Sequence, residues 1–210
     1  MTLLSFGLLL QTIGSILLLG GYAPQIGKLH KTKNPTGISL LFWTMIGIGC
    51  TSILVNMIIH DTSLPVMFTQ ALNALGAWYT LGLVIYCKRL HKQEIKINHN
   101  VVKMFIVMLA VLAWAIISDT PASDIGDGIQ LVGSIALLTA YLPQIIHLNR
   151  VKDATGISRW LFIVLGLGLL SVTGNMIITG TNIWIIATEF LNIGLIFVQF
   201  AMTVHYQNKR

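Results

Sequence analysis

The chain has 210 residues, 55% of them hydrophobic and only 10% charged, with a mean hydropathy of +0.79. Soluble domains carry about a quarter charged residues, so this composition excludes a soluble globular protein and points to a bilayer. A net charge of +6 would suit a nucleic-acid partner, but its placement along the chain gives it another meaning.

A helix needs roughly 20 apolar residues to cross about 30 Å of hydrocarbon. Seven runs approach or exceed that length: residues 3–27, 38–59, 64–87, 101–117, 128–146, 160–179 and 183–204. No Lys or Arg precedes Lys28, so the first run lacks the leader of a cleaved signal peptide and reads as a retained span. In it Gln11, Ser15, Leu18, Tyr22 and Gln25 recur at spacings of four and three, which places them on one stripe. Pro24 lacks an N–H and clashes with the preceding turn, which predicts a kink, with Gln25 beside it to answer freed backbone groups.

The third run holds Gln70 and, about nine or ten residues in, Asn73, close to the bilayer middle. The only cysteines, Cys50 and Cys87, lie in or at the end of apolar runs with no metal-type spacing, and read as reduced structural thiols. Between Lys103 and Ser118 the fourth run has no polar side chain, as expected of a linker helix facing lipid. The fifth repeats the stripe of the first through Gln130, Ser134, Leu137, Tyr141 and Gln144, with Pro143 in the place of Pro24. The seventh carries Asn192 at mid-depth and Glu189, the one acid or base within the predicted hydrocarbon.

Seven alternating spans put all thirteen Lys and Arg on one side, and Asp61, Asp119, Asp124 and Asp127 on the other. Basic residues in short loops mark the cytoplasmic side. The expectation is a multi-pass protein of the cell membrane with its amino terminus outside and its carboxyl terminus cytoplasmic. That bias accounts for the net charge, and no nucleic-acid partner is expected.

A shift of 119 residues aligns 11–91 with 130–210 without a gap, and about a third of the pairs are identical. The identities cluster at Tyr22, Pro24 and Gln25 with Tyr141, Pro143 and Gln144, at Thr36 to Ser39 with Thr155 to Ser158, and at Asn56 and Asn73 with Asn175 and Asn192. Two three-span units joined directly would be antiparallel, yet their charges are parallel, so the fourth span reverses the chain. The predicted fold is an all-α membrane protein of seven transmembrane helices arranged as three plus one plus three, two parallel three-helix bundles related by an axis along the membrane normal. The predicted divisions are a first repeat at 1–92, a linker with the fourth span at 93–122, and a second repeat at 123–210.

Polar side chains avoid lipid, so both stripes face the bundle interior, as a solute path or as interhelical hydrogen bonds. Pro24, Gln25, Pro143 and Gln144 are candidate gate hinges. Asn73 and Asn192 offer donors and acceptors at the midplane, where parallel-repeat carriers bind substrate; the alternative is a structural amide pair. Trp78, Trp184 and Tyr22 are candidate aromatic contacts, chosen by depth. Glu189 corresponds to Gln70 in the first repeat and has three readings: a counter-charge for a substrate amine, a proton carrier, or a carboxyl near enough to the outer surface to stay solvated.

The pairs Tyr22-Ala23-Pro24-Gln25 and Tyr141-Leu142-Pro143-Gln144, each followed by a basic turn and Thr-Gly-Ile-Ser, resemble the PQ-loop family. That group includes cystinosin-like cystine and cationic amino acid exporters, the SWEET and SemiSWEET sugar carriers, and the KDEL receptor. The resemblance implies a transporter and matches Asn73 and Asn192 to the midplane amides of SWEET-like sugar sites. The prolines usual early in the second helix of SWEET carriers are missing here, at Leu40 to Phe42 and again at Arg159 to Leu161, which with Glu189 looks more like the amino acid branch.

The expected function is transport of a small polar solute by alternating access, first an amino acid and possible proton coupling, second a sugar as in SWEET uniporters. A rival is a non-transporting cargo receptor, which should carry intramembrane basic residues that these runs lack. No paired acids, metal ligands or Ser-His arrangement stand at membrane depth, so no enzyme, cofactor or metal is expected. A monomer should suffice, since both repeats share one chain, and a homo-oligomer is compatible with the same reading.

Overall fold

The computed structural model describes residues 2–62, 64–93, 122–180 and 183–209. Among these the regular elements are all helices: α1 (Leu3–Gly20), α2 (Ala23–Thr32), α3 (Leu40–Ile59), α4 (Leu64–Leu90), α5 (Ala122–Val151), α6 (Arg159–Ile178) and α7 (Ile183–Asn208). The predicted fourth span at 101–117, with Lys96, Lys103 and Asp119 around it, lies outside the described residues.

Five segments are long and apolar enough to cross a membrane: Leu3–Thr32, Leu40–Ile59, Asp124–Val151, Arg159–Ile178 and Ile186–Asn208. The α4 helix, predicted as the third span, is not one of the five although its 27 residues would reach about 40 Å. Gln70, Asn73 and Thr80 lower its hydropathy.

The two proline segments, each predicted to kink, differ in backbone. In the first repeat the helix is interrupted: α1 ends at Gly20, and Pro24 stands in the first two positions of α2, where its missing N–H leaves no gap. Gly21 and Tyr22 keep right-handed helical dihedrals (φ −59°, ψ −30° and φ −75°, ψ −28°), so hydrogen bonding changes more than direction. The Gly21 N–H turns back to Leu18 O at 3.3 Å, and the Gln25 and Ile26 N–H groups both reach Tyr22 O, at 3.1 and 2.9 Å. In the second repeat α5 continues through Pro143 for its full 30 residues.

The helices sort into two compact units, Met1–Ser39 with Tyr141–Arg210, and Leu40–Ala140. Each draws on both sequence repeats. In the first unit α1 packs along α6 and α6 along α7. A Cβ on Gly14 would lie 2.9 Å from Gly168 O, and glycine permits this close backbone approach. The second unit packs α3 on α4 and the first part of α5 on α3, where a Cβ on Gly133 would lie 3.1 Å from Gly49 O. These two contacts are the same contact under the 119-residue shift. Cys50 and Cys87 are buried thiols outside any disulfide.

Candidate functional site

The two Pro-Gln glutamines do not answer their own helices, as their position beside the prolines suggested. Each reaches the Thr-Gly-Ile-Ser turn of the other repeat. Gln25 Nε2 donates to Gly156 O at 3.0 Å, and its Oε1 accepts from Ser158 N at 2.8 Å. Gln144 Nε2 donates to Gly37 O at 2.7 Å, and its Oε1 accepts from Ser39 N at 2.8 Å. Both side chains are almost wholly buried, 1% and 2% exposed. Ser39 and Ser158 stand just before α3 and α6, where backbone donors have no helical partner. Each carboxamide thus satisfies a donor and an acceptor that would otherwise be buried unpaired.

The turns themselves meet across the repeat. Gly156 N donates to Thr36 O at 3.1 Å, and Asn34 Nδ2 donates to Thr155 Oγ1 at 3.0 Å. Asn34 and Asp153 hold equivalent turns by accepting from Thr36 N and Thr155 N, at 3.0 and 2.9 Å. Gly37 has φ +81°, and a Cβ there would lie 3.2 Å from Ala154 Cα, so conformation and space both require glycine. Lys28 Nζ and Gln207 Nε2 add bonds to Ile157 O at 2.6 and 2.8 Å. The result is a reciprocal latch at the basic ends of α2 and α5.

The polar stripes also pair across the repeats. Asn175 Nδ2 donates to Gln11 Oε1 at 3.1 Å in the first unit, and Asn56 Nδ2 bonds Gln130 Oε1 in the second. For Gln11 and Gln130, the structure therefore shows interhelical hydrogen bonds.

At mid-depth, Asn73 on α4 is buried and its Oδ1 has no partner among the described residues. Asn192 on α7 is half-buried; its Nδ2 donates to Glu189 Oε2 at 3.2 Å, and its Oδ1 is buried without a partner among the described residues. Gln70, the counterpart of Glu189, donates through Nε2 to Cys50 O at 2.9 Å. Asn73 on α4 belongs to one unit and Asn192 on α7 to the other.

The aromatic candidates differ in place. Trp78 is 39% exposed, covers Gly47, and donates through Nε1 to Thr51 Oγ1 at 3.0 Å. Tyr22 is buried at the junction of α1 and α2. Gln25 and Gln207 both bond the 154–158 turn, so they share a level; Tyr22 lies about 4.5 Å above it and Asn192 about 22 Å above it. Tyr22 therefore stands nearer the latch than the mid-depth amide. Trp184 falls in α7, with its side chain outside the described residues.

The turn that receives the latch was not foreseen, although its identity over four residues in both repeats was the signal. Among the described residues, no three His, Cys, Asp or Glu side chains group as a metal site would require. Residues 6–66 match the family model described as PQ loop repeat. No curated protein matches the chain.

Proposed function

Since this chain is a membrane protein of the PQ-loop family, we propose that it carries a small polar solute across the bilayer by alternating access. In this reading it has seven spans in a three-plus-one-plus-three order, with the basic loops in the cytoplasm. The observation that carries the proposal is the reciprocal latch of Gln25 and Gln144. A gate needs contacts that are specific, few and breakable, and four hydrogen bonds worth about 1 kcal/mol each net are of the size that solute binding can shift. They lie at the basic ends of the helices, where in this reading their breaking opens the path to the cytoplasm.

Asn73 and Asn192 support a polar cargo, because a buried carboxamide oxygen without a partner is costly until a ligand donates to it. An amino acid is the first substrate, since its ammonium suits the acceptors on α7; a neutral sugar is the second. The protein's task is binding and movement rather than bond chemistry, without a cofactor, and one chain supplies both repeats.

The test is uptake of labelled amino acids and sugars into proteoliposomes by the native chain, Asn192→Ala, and the double variant Gln25→Ala, Gln144→Ala. One solute class should enter, Asn192→Ala should lower uptake at least tenfold, and the double variant should fail to hold the basic side closed, seen as label reaching that side of the path. No movement of any solute, with tight binding of a peptide instead, would replace the carrier by a receptor.

A further inference from the structure

We propose that the second repeat holds an ammonium subsite, made by the Glu189 carboxylate and the Asn192 carboxamide oxygen, so that the solutes this protein prefers carry a primary ammonium group. The proposal rests on the carrier reading above and narrows its cargo.

Four observations on α7 and its neighbour lead there. First, the two residues face inward: the residues between them, Phe190 and Leu191, are each 53% exposed, whereas Ile186 and Ile196 on the same face as Glu189 and Asn192 are buried. Second, the pair has acceptors to spare. Asn192 Nδ2 donates to Glu189 Oε2 at 3.2 Å, and among the described residues Asn192 Oδ1 is buried with no partner. An ammonium brings three donors, which suits two oxygens one helical turn apart.

Third, the part of the chain that builds α6 and α7 provides no cation for the site. Between Lys152 and Lys209 the one basic residue other than histidine is Arg159. Its guanidinium bonds Gln207 and Asn208 at the opposite end of α7. Fourth, the duplication shows what a purely structural side chain does at this position. Gln70 is tied to Cys50 O at 2.9 Å within its own unit, a bond a carboxylate cannot donate. The second repeat has exchanged an internally used amide for an acceptor.

A further oxygen stands at the same level. Thr173 Oγ1 on α6 is buried without a partner among the described residues. It lies about 7.5 Å from the end of α6, as Glu189 lies about 9 Å from the adjoining start of α7, and the two helices pack together. Its first-repeat counterpart is Leu54. The second repeat is thus the polar half at this depth, and the third ammonium donor has a hydroxyl within its layer.

Matched solutes that differ in the ammonium group test this: glucosamine against glucose, and serine against glycerate. Uptake into proteoliposomes is measured for the native chain, Glu189→Gln and Glu189→Asp, with thermal transitions in detergent recorded with and without each solute. The native chain should favour at least one amine-bearing member about tenfold or more over its partner and be stabilised by it. Glu189→Gln, nearly the same in shape, should lose that preference and that shift while keeping the unliganded transition, and Glu189→Asp should restore part of both. If glucose and glycerate both move as well as their amines, or Glu189→Gln keeps the preference, the subsite is wrong and the carrier stands. A variant that keeps the preference but loses its response to a proton gradient also overturns it, making Glu189 a proton carrier. If none of the four solutes moves or shifts the native transition, the subsite falls, and the broader uptake panel then decides the carrier reading.

Discussion

The two Pro-Gln segments end in the same hydrogen bonds but reach them on different backbones. In the first repeat, Gly20 and Gly21 precede Tyr22, and the helix is interrupted so that Pro24 starts a new one. In the second, Thr139 and Ala140 take those positions and α5 runs on through Pro143. Glycine costs about 1 kcal/mol relative to alanine within a helix, so two in succession are a weak point where a proline one turn later can break the ladder. Gln25 and Gln144 nevertheless make equivalent pairs of bonds, to Gly156 and Ser158 and to Gly37 and Ser39. The latch is therefore set by tertiary pairing, while local sequence decides how stiff each arm is.

The strongest way to break the comparison is to remove both glutamines. Gln25→Ala with Gln144→Ala strands four buried backbone groups at about 1–3 kcal/mol each, which should lower the thermal transition in detergent by well over 10 °C. If the latch is symmetric in energy as in geometry, the two single variants should each give about half of that fall. A large inequality between them would show that the stiffer arm holds the latch alone.

The next effect is at the glycine crossings. Val at Gly14 should collide with Gly168 O and with Val172, and Val at Gly133 with Ser52 and Gly49 O. Overpacking of this kind costs about 1–3 kcal/mol, and the two variants should lose similar amounts in the same thermal assay. Loss at one position alone would mean that the two crossings, equivalent by sequence, bear unequal loads.

The smallest effect sharpens the difference between the arms. A Cβ on Gly20 meets nothing within 4 Å, so Gly20→Ala should stabilise the chain by up to about 1 kcal/mol and extend α1 toward the continuity of α5. Uptake should slow if the interruption is the moving part of the gate. Unchanged uptake would place the motion elsewhere.

Much of the latch was legible in pieces. The duplication, the paired Pro-Gln residues and the repeated Thr-Gly-Ile-Ser turn all stand in the chain, and the stripe through Gln11 and Gln25 faces packed helices as its spacing required. What remained illegible was which polar group meets which. Gln25 lies next to Pro24 in sequence but bonds a residue 131 positions away, and local chemistry offers no means of preferring that partner to a freed carbonyl nearby. The same holds for Trp78, whose depth suggested a substrate contact and whose N–H is held by Thr51.

By itself the sequence determined that the chain lives in a bilayer, that its regular elements are helices, and that it carries an internal duplication. Each of these follows from summed properties: hydropathy over about 20 residues and identity over a fixed shift. Only the tertiary structure decided that the duplicated parts exchange partners, with α1 against α6 and the first part of α5 against α3. A hydrogen bond depends on a few tenths of an ångström and a direction, which a stripe or a motif does not carry. Two identical glutamines could have closed on their own helices, and each reaches the turn of the other repeat instead.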